Sequence, residues 1–194
     1  MSVTHICMKM ESLMLSYQYD EAVAYSGRIM KTGGELANNP RILCWRGKVL
    51  IYSGNEALGK KHLVQALNFD PDLKECQIIM KKTIKTAKMK EEAAVIFKEG
   101  KFDEAIEKFE EILEVDPNNG NFNATLLLNI SICHVKMNRN DDALVALNKA
   151  IKFNPKNAKA LVKRGEVYLA MEEWNDAIRD FSEASEHDPT GFNV

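Results

Sequence analysis

The sequence predicts an all-α fold: antiparallel helix pairs stacked into an array, with about ten helices and no strands. Three observations predict it. The first is one stretch, Phe97 to Asn119, FKEGKFDEAIEKFEEILEVDPNN, which reads as the end of a helix, a turn at Gly100-Lys101, a second helix and a stop. Ala105, Phe109, Ile112 and Leu113 fall at the spacings that line up one apolar helical face. Pro117 then ends the helix, because proline has no amide hydrogen and clashes with the preceding turn. The second observation is recurrence. Ala143, Leu147, Ala150 and Pro155 repeat the pattern, and Ala177, Phe181, Ala184 and Pro189 repeat it again. The third is the interval. Pro155 to Pro189 and Ala143 to Ala177 both span 34 residues, and Pro117 to Pro155 spans 38, the same period with a four-residue insertion, Gly120 to Asn123.

A 34-residue helix-turn-helix period with small, aromatic or aliphatic, small and then proline anchors resembles the tetratricopeptide repeat (TPR). Gly165 and Tyr168 supply the small and aromatic positions of the last first helix. The resemblance implies a right-handed superhelix of antiparallel helix pairs in which the first helix of each pair lines a concave groove.

Along the chain, residues 1–73 read as two looser repeats. Tyr19-Asp20-Glu21-Ala22 opens a second helix much as Phe102-Asp103-Glu104-Ala105 does later. Gly33-Gly34 and Asn38-Asn39-Pro40 break the chain, and Gly47, Leu63, Ala66 and Pro71 mark the second repeat, with Gly59 where alanine is usual. Residues 74–85, KECQIIMKKTIK, hold no breaker and read as a lysine-rich connecting helix that runs on without interruption to Phe97. Lys81, Lys82, Lys85 and Lys88 give it a solvated basic face. Residues 86–194 hold the three regular repeats, 86–119, 124–157 and 158–191.

Composition excludes several functions. A 45% hydrophobic and 28% charged chain is that of a soluble globular protein, and a net charge of -2 argues against nucleic acid as a partner. No apolar run approaches the length of a membrane span, and Met1 to Met10 lacks the pattern of a secretory signal. Cys7, Cys44, Cys76 and Cys133 are too scattered for a metal site and read as small buried thiols, which suits a cytoplasmic location. His5, His62, His134 and His187 have no nucleophile at a recognisable spacing, and His134 sits at an aromatic packing position. Trp45 and Trp174 flank signature positions and read as packing residues. No catalytic constellation or cofactor loop emerges, so the expectation is a non-enzymatic scaffold without a cofactor.

A helical array binds through its groove. The groove-facing positions of the three regular repeats are Ala87, Lys90, Glu91, Ala94, Phe97 and Lys98, then Thr125, Leu128, Asn129, Ile132, Val135 and Lys136, then Lys159, Val162, Lys163, Glu166, Leu169 and Ala170. Lys90, Lys159 and Lys163 bring three ammonium groups, with Asn129 as an amide among them, to a partly apolar channel. That set suits a peptide with carboxylates and an aliphatic side chain.

These positions resemble the dicarboxylate clamp of co-chaperone TPR domains, which grips the C-terminal Glu-Glu-Val-Asp of heat-shock chaperones of seventy and ninety kilodaltons. The clamp's pattern places Lys90 as its first lysine, Asn129 as its second asparagine, Lys159 as its second lysine and Lys163 where arginine is usual. Ala94 stands in place of its first asparagine, and Lys136 matches an accessory basic position. Phe97, Ile132 and Glu166 complete the surrounding groove. The two looser repeats, the lysine-rich helix, three repeats and the insertion after Asp116-Pro117-Asn118-Asn119 resemble the TPR region of cytosolic J-domain co-chaperones. An endoplasmic-reticulum branch has the same parts, but Asn129 and the lysines fit the cytosolic type. The J domain's His-Pro-Asp triplet is not in this sequence, and the resemblance implies such a domain beyond Val194. The implied partners are chaperone C-terminal peptides. The alternative is a scaffold that binds unfolded clients or another protein through apolar groove residues.

Overall fold

The computed structural model describes residues 2–188. Among them are eleven helices and no strand: α1 (Val3–Leu15), α2 (Tyr19–Lys31), α3 (Gly34–Ala37), α4 (Pro40–Tyr52), α5 (Glu56–Phe69), α6 (Lys74–Lys98), α7 (Phe102–Val115), α8 (Gly120–Lys136), α9 (Asn140–Phe153), α10 (Ala158–Ala170) and α11 (Trp174–His187). The uninterrupted helix expected from Lys74 to Phe97 is α6. The count exceeds ten because the Gly33–Asn39 stretch, read as a break, forms the single turn α3. The stop at Pro189 and the last repeat's end at residue 191 lie outside the described residues.

Asparagine starts many of these helices. The side-chain oxygens of Asn39, Asn55, Asn119 and Asn157 accept backbone N–H groups in the first turns of α4, α5, α8 and α10, which satisfies donors that the helix itself leaves unpaired. The cap at Asn119 starts α8 early. Gly120 to Asn123, expected as an insertion ahead of the repeat, folds as the first turn of α8.

The chain divides into two compact units, Met1–Ala87 and Lys88–Val194, with the division inside α6. In the first unit, Ile6, Met10, Ile42, Leu43, Leu63 and Cys76 are wholly buried in one core. In the second, the core holds Ala93, Phe109, Ile112, Leu126, Leu147 and Ala160. The four cysteines are buried and unbridged. Burial pushes the Cys7 and Cys133 thiols up to about 11, so they stay protonated and unreactive.

Each pair buries a small residue on both of its helices: Gly47 and Gly59, Ala93 and Ala105, Ser131 and Ala143, Gly165 and Ala177. A Cβ on Gly59 would lie 2.7 Å from the Gly47 carbonyl and 2.6 Å from the Ile51 side chain, which is why alanine is replaced there. A Cβ on Gly165 would lie 2.8 Å from the Phe181 ring. The turn between paired helices always uses one left-handed residue: Gly54, Gly100, Asn138 and Glu172, with Tyr17 doing the same in the first pair.

One expectation about the last pair is corrected. Ala177 and Ala184 are wholly buried, and Phe181, half-buried, packs on Gly165 of α10. The apolar surface left open is Trp174, 58% exposed, and Ile178, 63% exposed. Trp174, at the first position of α11, is therefore not a packing residue. Trp45, by contrast, is buried, with the Lys48 ammonium 4.6 Å from its ring centre.

Replacing Ala105 or Ala177 with leucine should overpack a helix pair and lower the unfolding free energy by about 1–3 kcal/mol in urea titrations. Glu172→Gly should act in the opposite sense. A left-handed conformation costs a non-glycine residue about 1–2 kcal/mol, and glycine's extra chain entropy offsets only part of that, so the variant should melt at a higher temperature than the parent.

Candidate functional site in the second unit

The candidate groove is carried by three first helices of the second unit, the latter half of α6, α8 and α10. The groove positions within this unit, from Lys90 to Ala170, are all at least partly accessible, although Phe97, Leu128, Ile132, Val135, Val162 and Leu169 are apolar. The buried faces of the same helices carry Ala93, Ala124, Leu127, Ile130, Ala160 and Leu161 instead. On α8 the geometry is explicit. At 100° per residue, Thr125, Asn129, Ile132 and Lys136 centre roughly 180° from Leu127 and Ile130.

The structure places the anticipated residues as follows. Lys90 is half-buried, with its ammonium 5.6 Å from the centre of the Phe122 ring, a cation–π distance. Asn129 is half-buried on α8 and Lys159 is exposed at the start of α10. Lys163 is half-buried and forms an ion pair with Glu166, one turn further along α10. Ala94 and Lys136 are exposed, and Ile132 is half-buried. Phe97 packs edge-on against Phe102, ring centres 5.5 Å apart, at the turn closing the α6–α7 pair. Lys90, Asn129 and Lys159 thus stand on three separate helices, while Lys163 is engaged by a neighbour of its own.

Two features were not anticipated. Phe122 lies in the stretch read as an insertion, so it was not considered as Lys90's neighbour; the signal was Asn119 followed by no helix breaker. The second is the support beneath α10. The Arg164 guanidinium donates to both oxygens of Asp180, from Nε at 2.6 Å and from Nη2 at 2.7 Å, and Nη1 donates to the Asn148 oxygen at 2.7 Å. Asp180 is wholly buried. Its carboxylate, as hydrogen-bond acceptor, raises the Arg164 pKa above its ordinary value, so the guanidinium stays charged. One forked contact thereby joins α9, α10 and α11 and fixes the helix that presents Lys159 and Lys163.

Arg164→Met should leave the Asp180 carboxylate buried without a partner and cost about 3–5 kcal/mol, read as a lowered midpoint in chemical denaturation. The double variant with Asp180→Leu should recover much of that loss.

Comparison with known proteins bears on what this groove does. A tetratricopeptide repeat model matches residues 97–164. The DnaJ homolog subfamily C member 3 homolog of Dictyostelium discoideum is 32% identical over 147 residues, 76% of this chain and 29% of that protein. The DnaJ homolog subfamily C member 7 homolog of Schizosaccharomyces pombe is 31% identical over 156 residues, 80% of this chain and 33% of that protein. The chain thus spans about a third of the length of these curated relatives. Among solved structures, the P58(IPK) TPR domain superposes with a TM-score of 0.66 at 22% identity, over 94% of this chain and 50% of that one, and shares the fold. The first TPR of Spaghetti (RPAP3), bound to the HSP90 peptide SRMEEVD, superposes with a TM-score of 0.50 at 27% identity, over 55% of this chain and 82% of that one. The second TPR domain of human RPAP3, in complex with the HSP70 peptide SGPTIEEVD, gives 0.50 at 26% identity, over 56% of this chain and 88% of that one.

Proposed function

Starting from a chain that is a tetratricopeptide repeat domain with DnaJ homolog subfamily C members 3 and 7 among its homologues, we propose that it is a non-enzymatic, cytoplasmic co-chaperone scaffold. Its second unit docks the acidic C-terminal peptide of heat-shock chaperones of the 70 and 90 kDa classes. The observation that carries this reading is the set Lys90, Asn129, Lys159 and Lys163, three cations and an amide on accessible faces of three adjacent first helices. The RPAP3 domains that share this fold at 26–27% identity hold peptides ending in Glu-Glu-Val-Asp. The relatives carry member 3 and member 7 names at nearly equal identity, so the cytoplasmic assignment rests on Asn129 and the lysines.

In this mechanism the terminal carboxylates meet Lys90 and Lys159, Asn129 donates its amide N–H groups to the peptide, and the valine side chain lies over Leu128 and Ile132. Lys163 joins once it leaves Glu166. Lysine binds a carboxylate as a point charge, without the two-pronged grip of a guanidinium. Ala94 offers no amide. Both differences, together with the cost of ordering the peptide, put the affinity in the micromolar range or weaker. The alternative, capture of unfolded clients, draws on the open apolar surface at Leu169, which is 40% exposed.

Calorimetric titration of SRMEEVD tests the proposal. Lys159→Ala combined with Lys163→Ala should weaken binding at least tenfold, a loss of about 1.4 kcal/mol or more. Glu166→Gln should strengthen it by releasing Lys163. Raising the salt concentration should weaken it, because exposed charges are screened. Undiminished binding by the double lysine variant would replace the clamp with the client-binding alternative.

A further inference from the structure

The second unit also holds a cleft on the face of α8 opposite the clamp positions, with a volume of about 300 Å³. Its floor is Asn123, Leu127, Ile130 and His134. Successive spacings of four, three and four keep these side chains within roughly 40–60° of one another around the helix, centred roughly 130° from Asn129. Eleven residues of α8 separate Asn123 from His134, so the cleft is roughly 16 Å long, the reach of about five extended residues.

The cleft exists because of one small residue. In three pairs, residues sixteen apart bridge the two helices: Arg46 with His62 at 3.2 Å, Glu92 with Lys108 at 3.8 Å, and Arg164 with Asp180 at 2.6 Å. In the α8–α9 pair the corresponding residues are Ile130 and Ala146, which leave the space open.

Both ends of the cleft carry polar atoms without a partner. Asn123 is 1% exposed, and its amide nitrogen donates to the carbonyls of Asp116 and Pro117 at 3.1 and 3.0 Å, which fixes the amide's orientation. Its oxygen, buried at the cleft, accepts nothing. His134 Nδ1 is likewise buried and unbonded, 4.0 Å from the Asp142 carboxylate. A buried acceptor left unmet costs free energy that a donor would recover. Glu110 and Asp142 stand on the walls, and Lys149 is the one lysine or arginine among the described lining residues.

We propose that this cleft is a second peptide-binding site, for an extended segment of a partner protein. The segment brings an N–H donor to Asn123, apolar side chains over Leu127 and Ile130, and a lysine or arginine side chain to the His134–Asp142 end. It thus has the opposite charge preference to the clamp, and it stands whether or not the clamp binds.

The test uses the isotope-labelled full chain and NMR shift mapping. The probes are two blocked pentapeptides of opposite direction, acetyl-Lys-Leu-Ala-Val-Gly-amide and acetyl-Gly-Val-Ala-Leu-Lys-amide. Controls are the same peptides with glutamate in place of lysine, and spermine. At least one lysine peptide should produce saturable shifts at Leu127, Ile130 and Val145. Its glutamate counterpart should bind at least tenfold more weakly. Asp142→Asn, an exposed change, should weaken the lysine peptide severalfold, and Ala146→Leu should abolish its shifts while the rest of the spectrum keeps its dispersion. The proposal is overturned if neither lysine peptide shifts these residues, if the glutamate peptides bind as well, or if binding survives in Ala146→Leu. It is also overturned if spermine alone saturates the cleft, which would make it a site for a free polyamine.

Discussion

Two helices joined by a short turn can bury their apolar stripes only if their backbones come close, and here that closeness depends on small residues where they cross. Gly47 faces Gly59 so tightly that one added methyl group would meet a backbone carbonyl, and a methyl group on Gly165 would crowd the Phe181 ring. The rest follows from this crossing. It sets the same left-handed residue in each turn, at Gly54, Gly100, Asn138 and Glu172, and it turns the opposite face of each first helix outward. The accessible positions of α6, α8 and α10 are the ones left over once the crossing is made.

A second contact refines the first. Sixteen residues separate the partners that tie three of the pairs together, and their chemistry differs: a guanidinium on a neutral imidazole at Arg46 and His62, an exposed ion pair at Glu92 and Lys108, and a forked buried pair at Arg164 and Asp180. Burial and Arg46 together hold His62 below the ordinary imidazole range, so Arg46 has a neutral neighbour where Arg164 has a carboxylate. The ties stiffen the frame behind the groove at α10. They are absent in the α8–α9 pair, which is where the frame opens into a cleft.

The periodicity carried most of the fold. In the regular repeats, helix crossings, turns and stops recur at 34 residues or at 38 where four are inserted, and most of them carry a residue type that is visible in one dimension: a small side chain, a glycine or asparagine, a proline. What did not repeat was harder to read. Gly120 to Asn123 looked like an insertion because it breaks the period, yet an Asn119 cap and the absence of a breaker suffice to extend α8 over it. Trp174 looked like a packing residue because it flanks a signature position, yet at the first position of α11 it stays open. In the groove, the spacing of Lys90, Asn129, Lys159 and Lys163 was legible because a helix face is a periodic object. The pairing of Lys163 with Glu166 and the stacking of Lys90 on Phe122 were not, since they depend on which of several nearby partners a flexible side chain takes.

If the second unit recognises a chain terminus, the charge that matters most on the ligand is its terminal carboxylate. The most direct measurement is calorimetry of the full chain against SRMEEVD as the free acid and as the C-terminal amide, side by side at low salt. Amidation removes one charge and leaves every side chain in place. The account predicts that the amide binds at least tenfold more weakly than the acid. Equal affinities would contradict it, and would mean that the groove reads internal residues of its ligand.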